Sequence, residues 1–285
     1  MALKFKKPEI KQQRLKFLVY GEMGSGKSTL GCAFPKAAYF DTEDTSSKLK
    51  YAQALTDNGS AVIHTGDMDE IIDQVKALMT TAHEYKTVVI DSLTVAYENL
   101  LMEAEKRVGS EFGRHIAEAD KKVKQLINLL LRLDMNCVVT CQSKNEYGGG
   151  MSVVGKTYVG YKRLGYMFDL VLETSVLGSN FNAVVRKSRL DSFATGEEIK
   201  FSYAEVLRRC GAEAIEKPVA VETLPTKEQV AELNRLVTLL NIQEDLIEKW
   251  LVKANCDSFD EMPADVVTKC IAQLKARIEN KEATK

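Results

Sequence analysis

Residues 21–28 read Gly-Glu-Met-Gly-Ser-Gly-Lys-Ser and fit GxxxxGK[ST] at every fixed position. The segment lies between the apolar run Lys16–Tyr20 and a stretch of helical spacing, the strand–loop–helix context that this motif needs. Nothing else in the chain restricts its fold as much. Such a loop works only where a strand carries it to the edge of a sheet and a helix leaves from its far end. The glycines let backbone amides close around a β-phosphate, Lys27 reaches the β/γ oxygens, and Ser28 supplies a hydroxyl for Mg²⁺. Gly21, Glu22, Met23, Gly24, Ser25, Gly26, Lys27, Ser28 and Thr29 are the candidate ATP contacts, with a ligand-free glycine turn as the bland alternative.

The surrounding pattern agrees with a sheet of this kind. From residue 16 to about 203, β-branched runs alternate with longer helical patterns, the rhythm of βαβ units in an α/β fold with a mostly parallel sheet. The runs are Phe17–Tyr20, Ala38–Phe40, Ala61–His64, Thr87–Ile90, Asn136–Cys141, Leu170–Leu172 and Ala183–Val185. Met68–Thr81, Leu93–Val108 and Arg114–Leu133 carry i, i+3, i+4 apolar spacing and are predicted helices, the last the longest. The predicted division is a basic arm over 1–15, a core over 16–210, a linker over 211–225 and a helical module over 226–285. The linker has two prolines and no periodicity. Thr226 and Gln229 form a capping box at the module's start, followed by helices at Glu244–Lys253 and from near Pro263.

Composition narrows the function classes. With 39 Lys plus Arg against 40 Asp plus Glu and 45% hydrophobic residues, the chain is neither disordered nor globally basic, so nucleic-acid affinity must come from local patches. No run approaches the roughly 18–20 apolar residues that cross a bilayer, and the N-terminus lacks the apolar segment of a signal peptide, so a cytoplasmic, non-membrane protein is expected. Six scattered cysteines without a CxxC pair are expected to be reduced thiols, and three isolated histidines do not suggest a metal site.

Two further acids complete the phosphate chemistry. The strand Thr87–Ile90 ends in Asp91, the acid that a P-loop needs to hold Mg²⁺. Asp91 and Ser28 are therefore the Mg²⁺ candidates. Ala38–Phe40 runs into Asp41-Thr-Glu43, which puts Glu43 at the carboxyl edge of the sheet where a carboxylate can activate water. Asp41 or Asp44 is the alternative acid, and a plain helix cap is the structural one.

The order of P-loop, strand ending FDTE, strand ending VVIDS and strand ending VVTCQ resembles the ATPase core of RecA-type recombinases, over roughly residues 14–203. Within that superfamily it is similar to the small phage-encoded RecA-like proteins of the Sak single-strand-annealing group, phage nucleotide-binding proteins with an AAA domain. The resemblance implies a RecA-like P-loop NTPase fold and an ATPase that uses ATP and Mg²⁺. It further implies homo-oligomers, as ring or filament, acting on single-stranded DNA in recombination. It makes Glu43 the catalytic glutamate and Gln142 the polar sensor between γ-phosphate and DNA loop. A Gln that merely ends a strand is the alternative.

Ser143–Arg163 follows, with three consecutive glycines, Lys144, Lys156, Lys162 and Arg163 against Glu146, and the aromatics Tyr147, Tyr158 and Tyr161. Four cations against one acid suit a flexible loop that grips phosphates and stacks bases. In the family the matching loop contacts DNA, which makes Lys144, Lys156, Tyr158, Lys162 and Arg163 the candidate DNA contacts; a mobile solvated loop or a subunit contact is the alternative. Lys187 and Arg189, at the end of a late strand, match the spacing of cations that reach the ATP of an adjacent subunit in RecA-type assemblies. A solvated strand end is the alternative there.

The basic arm, with Lys4, Lys6, Lys7, Lys11, Arg14 and Lys16 against Glu9, suits phosphate contact, packing on a neighbouring protomer or simple solubility. The chain departs from bacterial RecA in its shorter core, scant N-terminal segment and different C-terminal helices, so annealing or mediator activity is expected over strand exchange. The helical module, with nine cations against 11 acids from Pro225 onward, suits a protein partner or a stabilising cap. The rival readings are an ATP switch that remodels a protein, such as a helicase loader, and a small-molecule kinase, for which no arginine-rich lid is found.

Overall fold

The computed structural model describes residues 14–149, 152–216, 219, 223–254 and 256–282. Most of the basic arm lies outside them. Of its cations, Arg14 and Lys16 are buried, and Lys16 Nζ donates to the Met135 carbonyl at 2.7 Å. These two are core anchors and do not contribute to an exposed basic patch.

The expected α/β architecture is present. Strands β1 (Lys16–Gly21), β2 (Ala37–Asp41), β3 (Ala61–His64), β4 (Thr87–Asp91), β5 (Asn136–Tyr147), β6 (Val153–Tyr158), β7 (Leu170–Leu177), β8 (Asn180–Ser188) and β9 (Glu198–Lys200) form one sheet. Its order is β3-β2-β4-β5-β1-β7-β8-β9, with β6 on the extension of β5. Neighbours from β2 to β7 pair in parallel; β8 and β9 add antiparallel. Their near-continuous apolar sequences follow from this, because β1 and β4 are buried along their whole length.

The chain forms two compact units. The first comprises residues 1–63, 85–93 and 135–218 and holds the sheet. Its helices are α1 (Lys27–Ala33), α2 (Leu49–Asp57), α6 (Leu164–Met167), α7 (Tyr203–Cys210) and α8 (Ala212–Glu216). Its core gathers Phe17, Val19, Leu30, Phe34, Leu172 and Val206, with Phe17 edge-on to both Phe34 and Phe193. Helix α8 lies within the stretch expected to be linker. Ile215 there is fully buried and its carbonyl accepts from Asn136 Nδ2 at 2.8 Å, so the chain stays packed beyond residue 210. A five-residue helix is too short to show periodicity, which is why the sequence hid it.

The second unit comprises residues 64–84, 94–134 and 219–285. It contains α3 (Met68–Thr80), α5 (Arg114–Arg132), most of α4 (Leu93–Val108), and α9 (Lys227–Leu239), α10 (Glu244–Ala254) and α11 (Ala264–Glu282). Helix α11 is as long as α5, at 19 residues. The C-terminal helices share a core of Leu233, Leu236, Cys256, Met262, Val267 and Leu274, and Thr226 and Gln229 make the expected capping box. They do not stand apart within the unit. Buried Glu261 accepts from Lys76 of α3 at 3.0 Å, from Gln125 of α5 and from the Asp257 amide at 3.2 Å. A carboxylate so enclosed is tolerable only because each of these donors offsets part of its desolvation.

Candidate functional site

The sequence places the phosphate loop at the carboxyl end of β1, the strand between β5 and β7 in the sheet order. Its backbone takes left-handed conformations at Gly24 (φ 76°) and Gly26 (φ 90°), where a side chain would be strained. Gly21 is required for a different reason: a Cβ there would lie 2.0 Å from Thr174 Oγ1 and 2.8 Å from the Thr174 carbonyl of β7. Ser25 and Thr174 share a buried hydrogen bond of 2.6 Å that pins the loop to that strand. Lys27 Nζ folds back onto the loop, donating to the Gly21 and Glu22 carbonyls at 3.0 and 2.8 Å. Burial lowers its pKa, and the charges of Asp91 and Glu43 oppose that shift. An ammonium held this way rests on weak acceptors that a polyphosphate can replace.

Asp91 ends β4 as a buried carboxylate. Tyr39 donates to its Oδ2 at 2.6 Å and Thr140 to its Oδ1 at 2.5 Å, so neighbours on β2 and β5 fix its orientation. Burial, then the Asp91 charge, pushes the Tyr39 hydroxyl far above its ordinary value, so Tyr39 stays a donor. Asp91 and the Ser28 hydroxyl line the same cleft and are hard oxygen donors, the chemistry that suits Mg²⁺.

Among the three acids at the end of β2 the structure separates the roles. Asp41 is buried and accepts from the Glu43, Thr45 and Ser46 amides at 3.1, 3.1 and 2.7 Å and from Ser46 Oγ at 2.5 Å. Burial alone would raise its pKa, yet the hydrogen bonds from Ser46, Thr45 and Glu43 outweigh it and hold the carboxyl below its ordinary value. Asp41 thus builds the loop that presents Glu43. Asp44 accepts from Ser47 at 2.7 Å at the exposed turn. Glu43 Oε1 accepts from Ser92 Oγ at 2.6 Å and from Gln142 Nε2 at 3.1 Å. Glu43, Asp91, Gln142, Lys27 and Ser28 all line one cleft of ≈ 710 Å³.

Among the described residues, much of the segment after Gln142 is extended strand. Strand β5 continues to Tyr147 and pairs antiparallel with β6, with Gly148 and Gly149 following at its end. Residues 143–147 are all polar or aromatic and 153–158 show no alternation, so the sequence carries no period-2 signal for the hairpin. Among the candidate DNA contacts, Lys144, Lys162 and Arg163 are exposed. Two others of that set are engaged within the unit. Lys156 Nζ pairs with Glu22 Oε1 at 2.6 Å, and Tyr158 packs edge-on against Tyr20 at 5.8 Å while its hydroxyl donates to the Lys162 carbonyl and accepts from the Gly165 amide.

The cations at the end of β8 are also engaged. Lys187 donates to the carbonyls of Gly165, Tyr166 and Phe168 at 2.9, 2.9 and 2.6 Å, capping α6, and burial lowers its pKa. Arg189 pairs with Asp169 at 3.2 Å and donates to the Tyr166 carbonyl at 3.1 Å.

Sequence reasoning missed Ser92, Tyr39, Thr140 and Thr174, which orient the loop and its acids. It also missed a second cavity of ≈ 640 Å³, lined by Gly26, Thr29 and Leu30 on one side and by Asn180, Phe181 and Tyr203 on the other.

The parallel sheet, the glycine loop with its lysine and the acid at the end of β4 together define a P-loop nucleotide-binding protein. The sequence profile of the family described as AAA domain matches residues 13–197, and the chain belongs to that family. No curated protein matches. Among solved structures, a crystal structure of the RadB recombinase is similar, at 23% identity and a TM-score of 0.45, covering 67% of this chain and 90% of that one. Among the described residues no helix is long and apolar enough to cross a membrane.

Proposed function

We propose that the chain binds and hydrolyses ATP and couples that cycle to single-stranded DNA, in the manner of the RecA-like recombination proteins of phages, as a single-strand annealing or recombinase-type protein. The hydrogen bond between Glu43 and Gln142 carries the reading. It ties the carboxylate that would activate water to the first polar residue of the β5–β6 hairpin, so a change at the terminal phosphate is felt where DNA would bind.

Each residue has a part in this reading. The P-loop amides and Lys27 hold the β- and γ-phosphates, and Ser28 and Asp91 would hold Mg²⁺, which when bound neutralises phosphate charge. Glu43, oriented by Ser92, accepts a proton from the attacking water. The ribose and base occupy the second cavity, where Phe181 and Tyr203 offer apolar rings beside Thr29. Lys144, Lys162 and Arg163 grip the DNA backbone.

Oligomerisation, with Lys187 and Arg189 reaching a neighbour's ATP, belongs to the same proposal. Arg189, with its side chain 55% exposed, gives up less to do so than Lys187, which would abandon three carbonyls.

The test is ATP turnover with and without single-stranded DNA. Stimulation supports the reading. Turnover that ignores DNA favours the remodelling of a protein partner instead, which the exposed Tyr147, Val153 and Val154 at the hairpin tip would equally serve.

A further inference from the structure

Lys156 was expected among the DNA contacts, yet it lines the nucleotide cleft. Its ammonium pairs with Glu22, the second residue of the phosphate loop, at 2.6 Å. Its strand lies beside β1 without being locked to it: Tyr20 and Tyr158 pack ring edge to ring face, and the Tyr20 hydroxyl, which donates to Glu173 Oε2 at 3.1 Å, lies 3.4 Å from the Lys156 carbonyl. Lys27, Lys144 and Lys156 all border this one cleft, and the register of the hairpin sets Lys156 opposite Asn145, a second residue of the lining.

The partner that Lys156 holds is easily surrendered. The side chains of Lys156 and Glu22 are 39% and 69% exposed, so water screens the pair and its net worth is small. A terminal phosphate offers more charge and more acceptor oxygens than one carboxylate. Lysine suits an exchange of partners, because three donors turn freely on a four-carbon stem.

We infer that Lys156 is a γ-phosphate-reading residue, paired with Glu22 when the terminal phosphate is absent and transferred to that phosphate when ATP is bound. This rests on the ATP-binding reading and names how the nucleotide state reaches the hairpin: β6 moves with its lysine, alongside the Gln142 contact on β5. Lys156 would contact the phosphate itself, while the proton transfer remains with Glu43. DNA is not part of the exchange.

The experiment uses the full chain without DNA and compares Lys156→Met, Lys156→Arg and Glu22→Gln with the wild type. Affinities for ADP and for a non-hydrolysable ATP analogue are measured with Mg²⁺, together with hydrogen exchange of residues 143–158. Lys156→Met should weaken the ATP analogue about tenfold and ADP by less than about twofold, as expected for loss of one charged phosphate contact. Lys156→Arg should recover most of the difference. Without nucleotide, Glu22→Gln and Lys156→Met should both speed hairpin exchange. With the ATP analogue only Glu22→Gln should regain wild-type protection, because it still has its lysine. Equal losses for ATP and ADP, no loss for either, or identical behaviour of the two variants with ATP would overturn the inference and leave ATP binding standing. A wild type that binds no ATP would overturn both.

Discussion

The orientation of Asp91 depends on two hydroxyls, and removing one of them has a size that can be worked out. Thr140→Val deletes the donor at 2.5 Å from Asp91 Oδ1 and keeps shape, volume and β-branching, so no cavity opens and strand propensity is unchanged. Thr140 is fully buried and Asp91 is 4% exposed, so water cannot take the donor's place. Losing a hydrogen bond to a charged acceptor in such a setting costs about 1.5–3 kcal/mol. The unfolding midpoint in urea should fall by roughly 1 M at typical slopes of about 1–3 kcal/mol/M. Thr140→Ser, which keeps the hydroxyl, should lose much less. The same change frees Asp91 to turn toward its remaining donor, Tyr39. ATP affinity measured with Mg²⁺ should therefore drop, while affinity in a chelator should hold. A Thr140→Val protein with the wild-type midpoint, or one losing affinity equally with and without Mg²⁺, would refute the view that the hydroxyl holds the metal-binding carboxylate in place.

Three other outcomes are expected. Glu43→Gln should leave ATP affinity within about threefold and abolish turnover, since the amide keeps hydrogen bonds with Ser92 and Gln142 but cannot accept the proton; unchanged turnover would move the role to Asp44, as Asp41 is saturated with donors. Neutralising Lys144, Lys162 and Arg163 together should weaken single-strand binding and reduce its salt slope by roughly 0.7 per lost phosphate contact, which titrations at several salt concentrations would measure. The carboxyl of Asp41 lies below its ordinary 3.8, so its contribution to stability is complete above that value and is lost as pH falls through the lower folded value. Comparing the acid limb of unfolding for the wild type and Asp41→Asn checks this. The variant should be the less stable at pH 7, and the gap should narrow below about pH 4.

The P-loop and the two acid-ending strands were legible because each is contiguous and carries its own chemistry. Eight consecutive residues state the loop, and an apolar run that ends in an acid states the edge of a buried parallel strand. Helices α3, α4 and α5 matched their apolar spacing almost to the residue, since their length repeats the 3.6-residue pattern several times. The hairpin was less readable. Its charges and glycines suggested a loop and no alternation marked a strand, whereas backbone hydrogen bonds pair β5 with β6 and the Gly148 amide donates to the Ser152 carbonyl at 2.9 Å.

What the residues by themselves determined, then, is the α/β class, the phosphate loop and the small set of groups from which a site is built. Tertiary structure decided how those groups are used. Glu43 and Gln142 stand 99 positions apart, and Lys156 and Glu22 stand 134 apart. Such pairs meet only because the sheet order puts β1 beside β5 and β4 beside β2, an arrangement set by the packing of all the strands at once and written in no single segment. Asp41 takes its donors from its own turn, Glu43 to Ser46, while the same packing set Glu43 against Ser92 and Gln142 in the cleft, a choice between two carboxylates two residues apart that their spacing could not make. Local chemistry is encoded residue by residue, while partnership depends on burial and register, and these exist only once the chain has folded.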